Sequence, residues 1–270
     1  MEQDFTFSNP PLVEVVVELR WAIQPLQSMP GAAIDPHFAA FQTAFSAALT
    51  GQGFGDPQSL KPDNVPIEFC GHIVTKRYRQ RPNAWPAIQI GPGVLTVNIV
   101  PPYNGWKSFR PDVLRAFEAL FQSYPVAANY LKLEQLQLRY VDAFVARHGF
   151  DGRYGRFVKE NFTLGVHLPE EITKSAEAPE EITVLADIRV PIRPIAGAVG
   201  SMKFAPGIIN GQSAVVSEFG VSGQVPNAKD PSSLLIWLDE AHNIVRSWFL
   251  SIPREQLLKT MGERTPIQLQ

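Results

Sequence analysis

Two arginines carry the chemistry that residue type and spacing suggest first. Arg20 lies in VEVVVELRW and Arg139 in LEQLQLRYVDAFV, stretches whose alternation reads as strands over Val13 to Trp21 and Leu133 to Val145. In each, the arginine falls on the more polar side, beside Glu18 in the first and Gln137 in the second. A guanidinium is a planar fork of donors, so two facing one another would clamp a carboxylate or phosphate. Paired with glutamates, the same arginines would only fasten a sheet. Arg20, Arg139, Glu18 and Gln137 are therefore the candidate ligand-binding set, for which Arg–Glu pairing is the favoured reading and a small anionic ligand the alternative. A second candidate is the loop PPYNGWKSF, whose Tyr103 and Trp106, if exposed, would anchor a protein partner. The other reading of that loop is a strand-to-helix turn with Trp106 tucked into the core. Asp142 is out of place: alternation sets its carboxyl on the apolar side with Leu138 and Tyr140. It reads as a polar residue that must be capped or paired, not as a base.

Other motifs fail on their own chemistry. Asp239-Glu240-Ala241-His242 matches a helicase signature, but no GxxxxGK[ST] loop is present to hold phosphates, and the four residues sit in an amphipathic helix. Gly91-Pro92-Gly93 is a poor phosphate cradle, because Pro92 lacks a donor and a strand follows it. The histidines, His37, His72, His148, His167 and His242, have neither HExxH nor HxH spacing, so neither a metal nor another cofactor is expected. No GxSxG elbow or cysteine–histidine signature marks a nucleophile, and no catalytic residue is assigned. The basic run Lys76-Arg77-Tyr78-Arg79 with Arg81 is split by alternation between two faces. It reads as a charged edge strand, and nucleic-acid binding is not expected.

The elements that must position these residues are legible in the apolar periodicity. Ile88 to Ile90 and Val94 to Val100 form a hairpin about Gly91-Pro92-Gly93. A helix follows, capped at Ser108, with Val113, Phe117, Leu120, Phe121 and Tyr124 at helical spacing. Asp35-Pro36 opens an earlier helix that carries Phe38, Phe41, Phe45 and Leu49. A loop is expected over 51–65, a strand over Ile67 to Arg79, a short helix over 152–162 and an acidic loop over Pro169 to Glu181. Strands are expected over Thr183 to Ile192, Ala198 to Phe204 and Ser213 to Val221, the last two about an Asn210-Gly211 turn. Asp230-Pro231 opens the final long helix, and a short one with Leu257, Leu258 and Met261 ends at Gly262.

The order β-α-β-β-β-α thus occurs twice. Leu19-Arg20-Trp21 and Leu138-Arg139-Tyr140 stand 119 residues apart, as do Phe38 and Phe157. The expectation is an α+β fold, a mostly antiparallel sheet with long helices on one face, built as a pseudo-twofold duplication of that unit. The halves would be 1–126 and 127–270, within one continuous structural domain.

Composition bounds the function classes. With 45% apolar and 19% charged residues the chain is globular, and 24 basic against 26 acidic side chains leave no global attraction for nucleic acid or anionic membrane. Cys70 alone permits no internal disulfide. MEQDFTFSNPP has neither a basic nor an apolar leader region, and no stretch reaches the roughly 20 apolar residues of a span, so a cytoplasmic protein is expected.

In combination, NPPLVEVVVELRW, IGPGVLTVN followed by PPYNGWKSF, LRYVDAF and LDEAHNIVRSWF resemble a sporadically distributed bacterial family of uncharacterised proteins of about this length. The resemblance covers nearly the whole chain and brings no activity with it. Patchy distribution implies mobile genes, which suits defence or toxin–antitoxin settings. Together these readings give a non-catalytic module for protein interaction or ligand sensing, with a protein partner, and as alternative a binder or enzyme for a phosphorylated or nucleotide ligand.

Overall fold

Apolar alternation in the longer strands builds a nine-stranded antiparallel sheet, beside two small two-stranded ones among the described residues, and the two longest helices cover one of its faces. The structure is a computed structural model and describes residues 5–165, 168–178, 182–225 and 230–266. In chain order the strands are β1 (Phe5–Phe7), β2 (Leu12–Trp21), β3 (Gln24–Pro25), β4 (Ala33–Ile34), β5 (Gln58–Ser59), β6 (Lys76–Tyr78), β7 (Ala87–Gly91), β8 (Val94–Ile99), β9 (Leu133–Phe144), β10 (Ala186–Pro191), β11 (Val199–Ile209), β12 (Gln212–Gln224) and β13 (Arg264–Pro266). The helices are α1 (Phe38–Gly51), α2 (Trp106–Ser123), α3 (Ala127–Tyr130), α4 (Tyr154–Asn161), α5 (Glu170–Ser175), α6 (Pro231–Ser251) and α7 (Glu255–Thr260).

The main sheet runs β10-β11-β12-β9-β2-β8-β7-β6-β5. Read outward from the central β9–β2 pair, both directions give the first, fourth, third and second strand of a β-α-β-β-β-α series, with β5 added at one edge. The centre is in register through Val17↔Leu138 and Leu19↔Leu136, all four fully buried. On this face α2 buries Phe109, Val113, Phe117 and Leu120, and α6 buries Leu234, Leu238, Ala241 and Val245. Each large side chain so buried contributes about 1.5–3 kcal/mol. One apolar core spans both halves of the chain.

Local chemistry explains the turns. Asn210 and Gly211 both adopt positive φ (50° and 77°), the two-residue hairpin geometry between β11 and β12. Asp230 caps α6 by accepting from the Ser233 N–H at 2.9 Å.

Three expectations are corrected. The strand expected over Ile67 to Arg79 shrinks to β6, because Pro66 starts a 3-10 turn at Ile67–Phe69 and His72 takes a positive φ of 55°. The long helix begins at Trp106 and not at Ser108, since Gly105 at φ 83° turns the chain directly into it; Pro111 consequently lies inside α2. Part of the expected acidic loop is helical as α5, where Lys174 pairs with Glu170 one turn away at 2.7 Å; residues 179–181 of that stretch lie outside the described residues. Among the described residues no helix is long and apolar enough to cross a membrane.

Candidate functional site

The two arginines lie on the opposite, polar face of the sheet. Arg139 stands in register with Val16 and Arg20 with Gln135, so four residues, about 13 Å of strand, separate them along the β2–β9 pair. Each holds a carboxylate. Arg20 donates to Glu18 at 2.7 Å, and Arg139 donates to Glu218 at 3.1 Å, an acceptor shared with Lys203 at 2.9 Å. Gln137 faces Glu18 across the strands. Farther along the face, Arg77 donates to Gln89, which donates to Thr96 and Asn98, and Asn98 donates to Glu14. The four sequence candidates thus share a face, but the two guanidiniums do not converge. Arg20 also borders an open polar groove of about 580 Å³ with His72 and Gln135.

The other candidate loop leads to a more enclosed place. Trp106 is not an exposed anchor: it is only 4% exposed, its indole N–H donates to Asp239 at 2.7 Å, and its ring stacks on His242 with centroids 5.5 Å apart. The physical reason is the glycine turn, which makes Trp106 the first residue of α2 and swings it against α6. Arg110, one turn on, donates to both oxygens of Asp239, so this carboxylate clamps α2 to α6. Asp239 and His242 belong to the helicase-like string; here Asp239 accepts from Trp106 and Arg110, and His242 stacks on the Trp106 ring.

Below the loop lies a cavity of about 360 Å³. It is bordered by the N-terminal stretch Phe5 to Leu12, the loop from Pro101 to Trp106, the end of β9 and the C-terminal half of α6. Six aromatic rings line it: Phe5, Phe7, Tyr103, Trp106, Tyr140 and Phe249. Strand alternation sends Tyr140 and Asp142 of β9 to this side. The Tyr140 hydroxyl sits 2.8 Å from His242 Nδ1 and 3.2 Å from the Tyr103 hydroxyl, which gives a hydrogen-bonded line of three groups along the wall. Arg246, one turn beyond His242, lies over the Phe5 ring at 5.3 Å.

Asp142 is the anomaly in that wall. It is 2% exposed, and among the described residues its Oδ2 has no hydrogen-bond partner. Burial alone pushes its carboxyl up to about 7. Its cross-strand neighbour Ser217, fully buried, likewise has a hydroxyl without a partner among the described residues. The expectation that Asp142 is capped or paired is therefore corrected. Asp35 shows what a satisfied buried aspartate looks like in this fold: it accepts from the Trp21 indole at 2.9 Å, the Tyr124 hydroxyl at 2.8 Å and the His37 backbone at 3.0 Å. The structural carboxylate is fully used, whereas the one at the cavity is not.

The arrangement can bind more readily than it can react. Among the described residues the Ser217 hydroxyl has no base within hydrogen-bond reach, and no three His, Cys, Asp or Glu side chains converge as metal ligands do. His148, by contrast, is structural. Its Nδ1 accepts from the Val145 N–H and its Nε2 contacts the Asn9 carbonyl, and burial pushes its pKa down to about 4. That residue pins the N-terminal stretch that walls the cavity. Of the cavity residues, sequence reasoning singled out Tyr103 and Trp106 for a different role and left Asp142 with an assumed partner. It missed His242, Arg246 and Phe5. The usable signal was the carboxylate on an apolar alternation. Comparison with family descriptions, curated proteins and solved structures finds no match for this chain.

Proposed function

We propose that this protein is a non-catalytic ligand-sensing module that takes a small organic molecule into the aromatic cleft between β9 and α6. One observation carries the reading: a buried Asp142 carboxyl, whose Oδ2 has no partner among the described residues, in the wall of a cavity of about 360 Å³ that six aromatic rings also line. Burying such a group without a partner costs about 1–3 kcal/mol, and more when it is charged. A ligand that donates to it offsets that cost. The cavity lies in the size range of small-molecule sites, which are apolar with a few placed polar groups. The anion-clamp alternative at Arg20 and Arg139 has weaker support, since each arginine already holds a glutamate. In the mobile defence or toxin–antitoxin setting suggested by the resemblance, such a module would report a metabolite to a protein partner. The duplicated β-α-β-β-β-α unit would then act as its scaffold.

The test is saturation-transfer NMR with indole as probe, on the wild-type chain and on Thr6→Trp. Thr6 lines the cavity from the short strand β1, so a larger ring there fills the cleft without entering the sheet core. Transfer to indole that disappears in Thr6→Trp supports the reading. No transfer, or transfer that persists unchanged in the variant, overturns it.

A further inference from the structure

We infer that the ligand of this cleft is an organic cation, an ammonium group on a flat or aromatic body, with Asp142 as its counter-ion. The inference rests on the cleft being a ligand site and adds the chemical class. Three features carry it. The unpartnered group in the wall is a carboxyl, which when ionised only accepts hydrogen bonds and attracts positive charge. The cleft it lines is also lined by the rings of Tyr103, Tyr140, Phe7 and Phe249, and ring faces attract ammonium groups electrostatically. The cleft's own cation, Arg246, is held over the Phe5 ring of the N-terminal strand. An anionic ligand would instead have to accept Asp142 as a neighbour.

The titratable and charged groups that face Asp142, among the described residues, come from three elements. They line the cleft with it: Tyr140 on its own strand, Tyr103 on the loop, and His242 and Arg246 on α6; its cross-strand partners are Ser217 of β12 and the apolar Leu12 of β2. In the empty protein the buried carboxyl holds its proton up to about pH 7. A bound ammonium stabilises the carboxylate, so binding below that pH releases one proton to solvent. Cation affinity therefore falls with the ionised fraction: about nine-tenths at pH 8 and about one-tenth at pH 6, roughly a tenfold loss.

Three probes share one ring and differ in the terminal group: tryptamine (ammonium), tryptophol (neutral) and indole-3-propionate (carboxylate). Isothermal titration at pH 8 should give tryptamine about tenfold or more tighter than tryptophol, with indole-3-propionate weakest. Tryptamine affinity should drop about tenfold at pH 6 while tryptophol affinity stays level. Asp142→Asn, nearly isosteric, should bind tryptamine and tryptophol equally at both pH values. If tryptophol equals tryptamine, or indole-3-propionate is tightest, the cation assignment is overturned while the cleft remains a ligand site. If none of the three binds and indole gives no transfer, the cleft reading falls, and this inference with it.

Discussion

Replacing Asp142 by asparagine should make the protein more stable, and by an amount that depends on pH. A carboxyl that titrates near 3.8 when unfolded and near 7 when folded binds more protons in the native state between those values. Its contribution to stability is therefore intact below the unfolded value and declines as pH rises through the folded one. At about 1.4 kcal/mol per unit, the mismatch between the folded and unfolded carboxyl costs the native state about 4 kcal/mol at pH 8 and about 2 kcal/mol at pH 5. Asparagine keeps the shape and never ionises, so Asp142→Asn should gain those amounts over wild type, corresponding to about 8 °C in Tm at pH 8. Urea denaturation of both proteins at pH 5 and pH 8 measures the difference, and the titration of His148 cancels because both proteins carry it. Asp35→Ala supplies the opposite sign: it strips the acceptor from Trp21, Tyr124 and His37 and should destabilise by about 3 kcal/mol or more. A gain in Asp142→Asn that is equal at the two pH values, or a loss at pH 8, would refute the claim that this carboxyl is buried without a partner.

Three further outcomes check the rest of the account. The folded pKa of His148 is depressed, so its contribution is present above about pH 6.5 and lost as pH falls towards 4; His148→Gln should remove about 3 kcal/mol of that acid-side slope in urea denaturation. Asp239→Ala unfastens α2 from α6 and should cost about 2 kcal/mol, with a red shift in tryptophan emission as Trp106 loses its acceptor and packing. Arg20→Ala, by contrast, breaks a half-exposed pair and should shift the urea midpoint by an amount worth less than about 1 kcal/mol.

How far the sequence could be read follows from which forces act locally. The β-branched alternation of Val13 to Trp21 and the apolar helical spacing of Phe38, Phe41, Phe45 and Leu49 depend on neighbours in the chain, and β2 and α1 lie where those patterns put them. Gly105 was less legible, because a positive φ at that residue moves the helix start by two positions and decides where Trp106 points. The site itself joins residues more than a hundred apart. His242 meets Tyr140 and Trp106 only because α2 and α6 lie side by side on one sheet face, and no spacing along the chain encodes that meeting. Asp142 was visible as a carboxylate on an apolar stripe. What the pattern could not say is that, among the described residues, no other element comes to meet its Oδ2, since partners for a buried group arrive through tertiary contacts.

The most direct test of the central claim is a crystal structure of the wild-type chain soaked with tryptamine at pH 8. The expected result is ordered density for the probe in the cleft beside the Tyr103, Tyr140 and Phe249 rings, with its ammonium within hydrogen-bond distance of the Asp142 carboxyl. A cleft that holds only water, with the probe absent or elsewhere on the surface, would contradict the account.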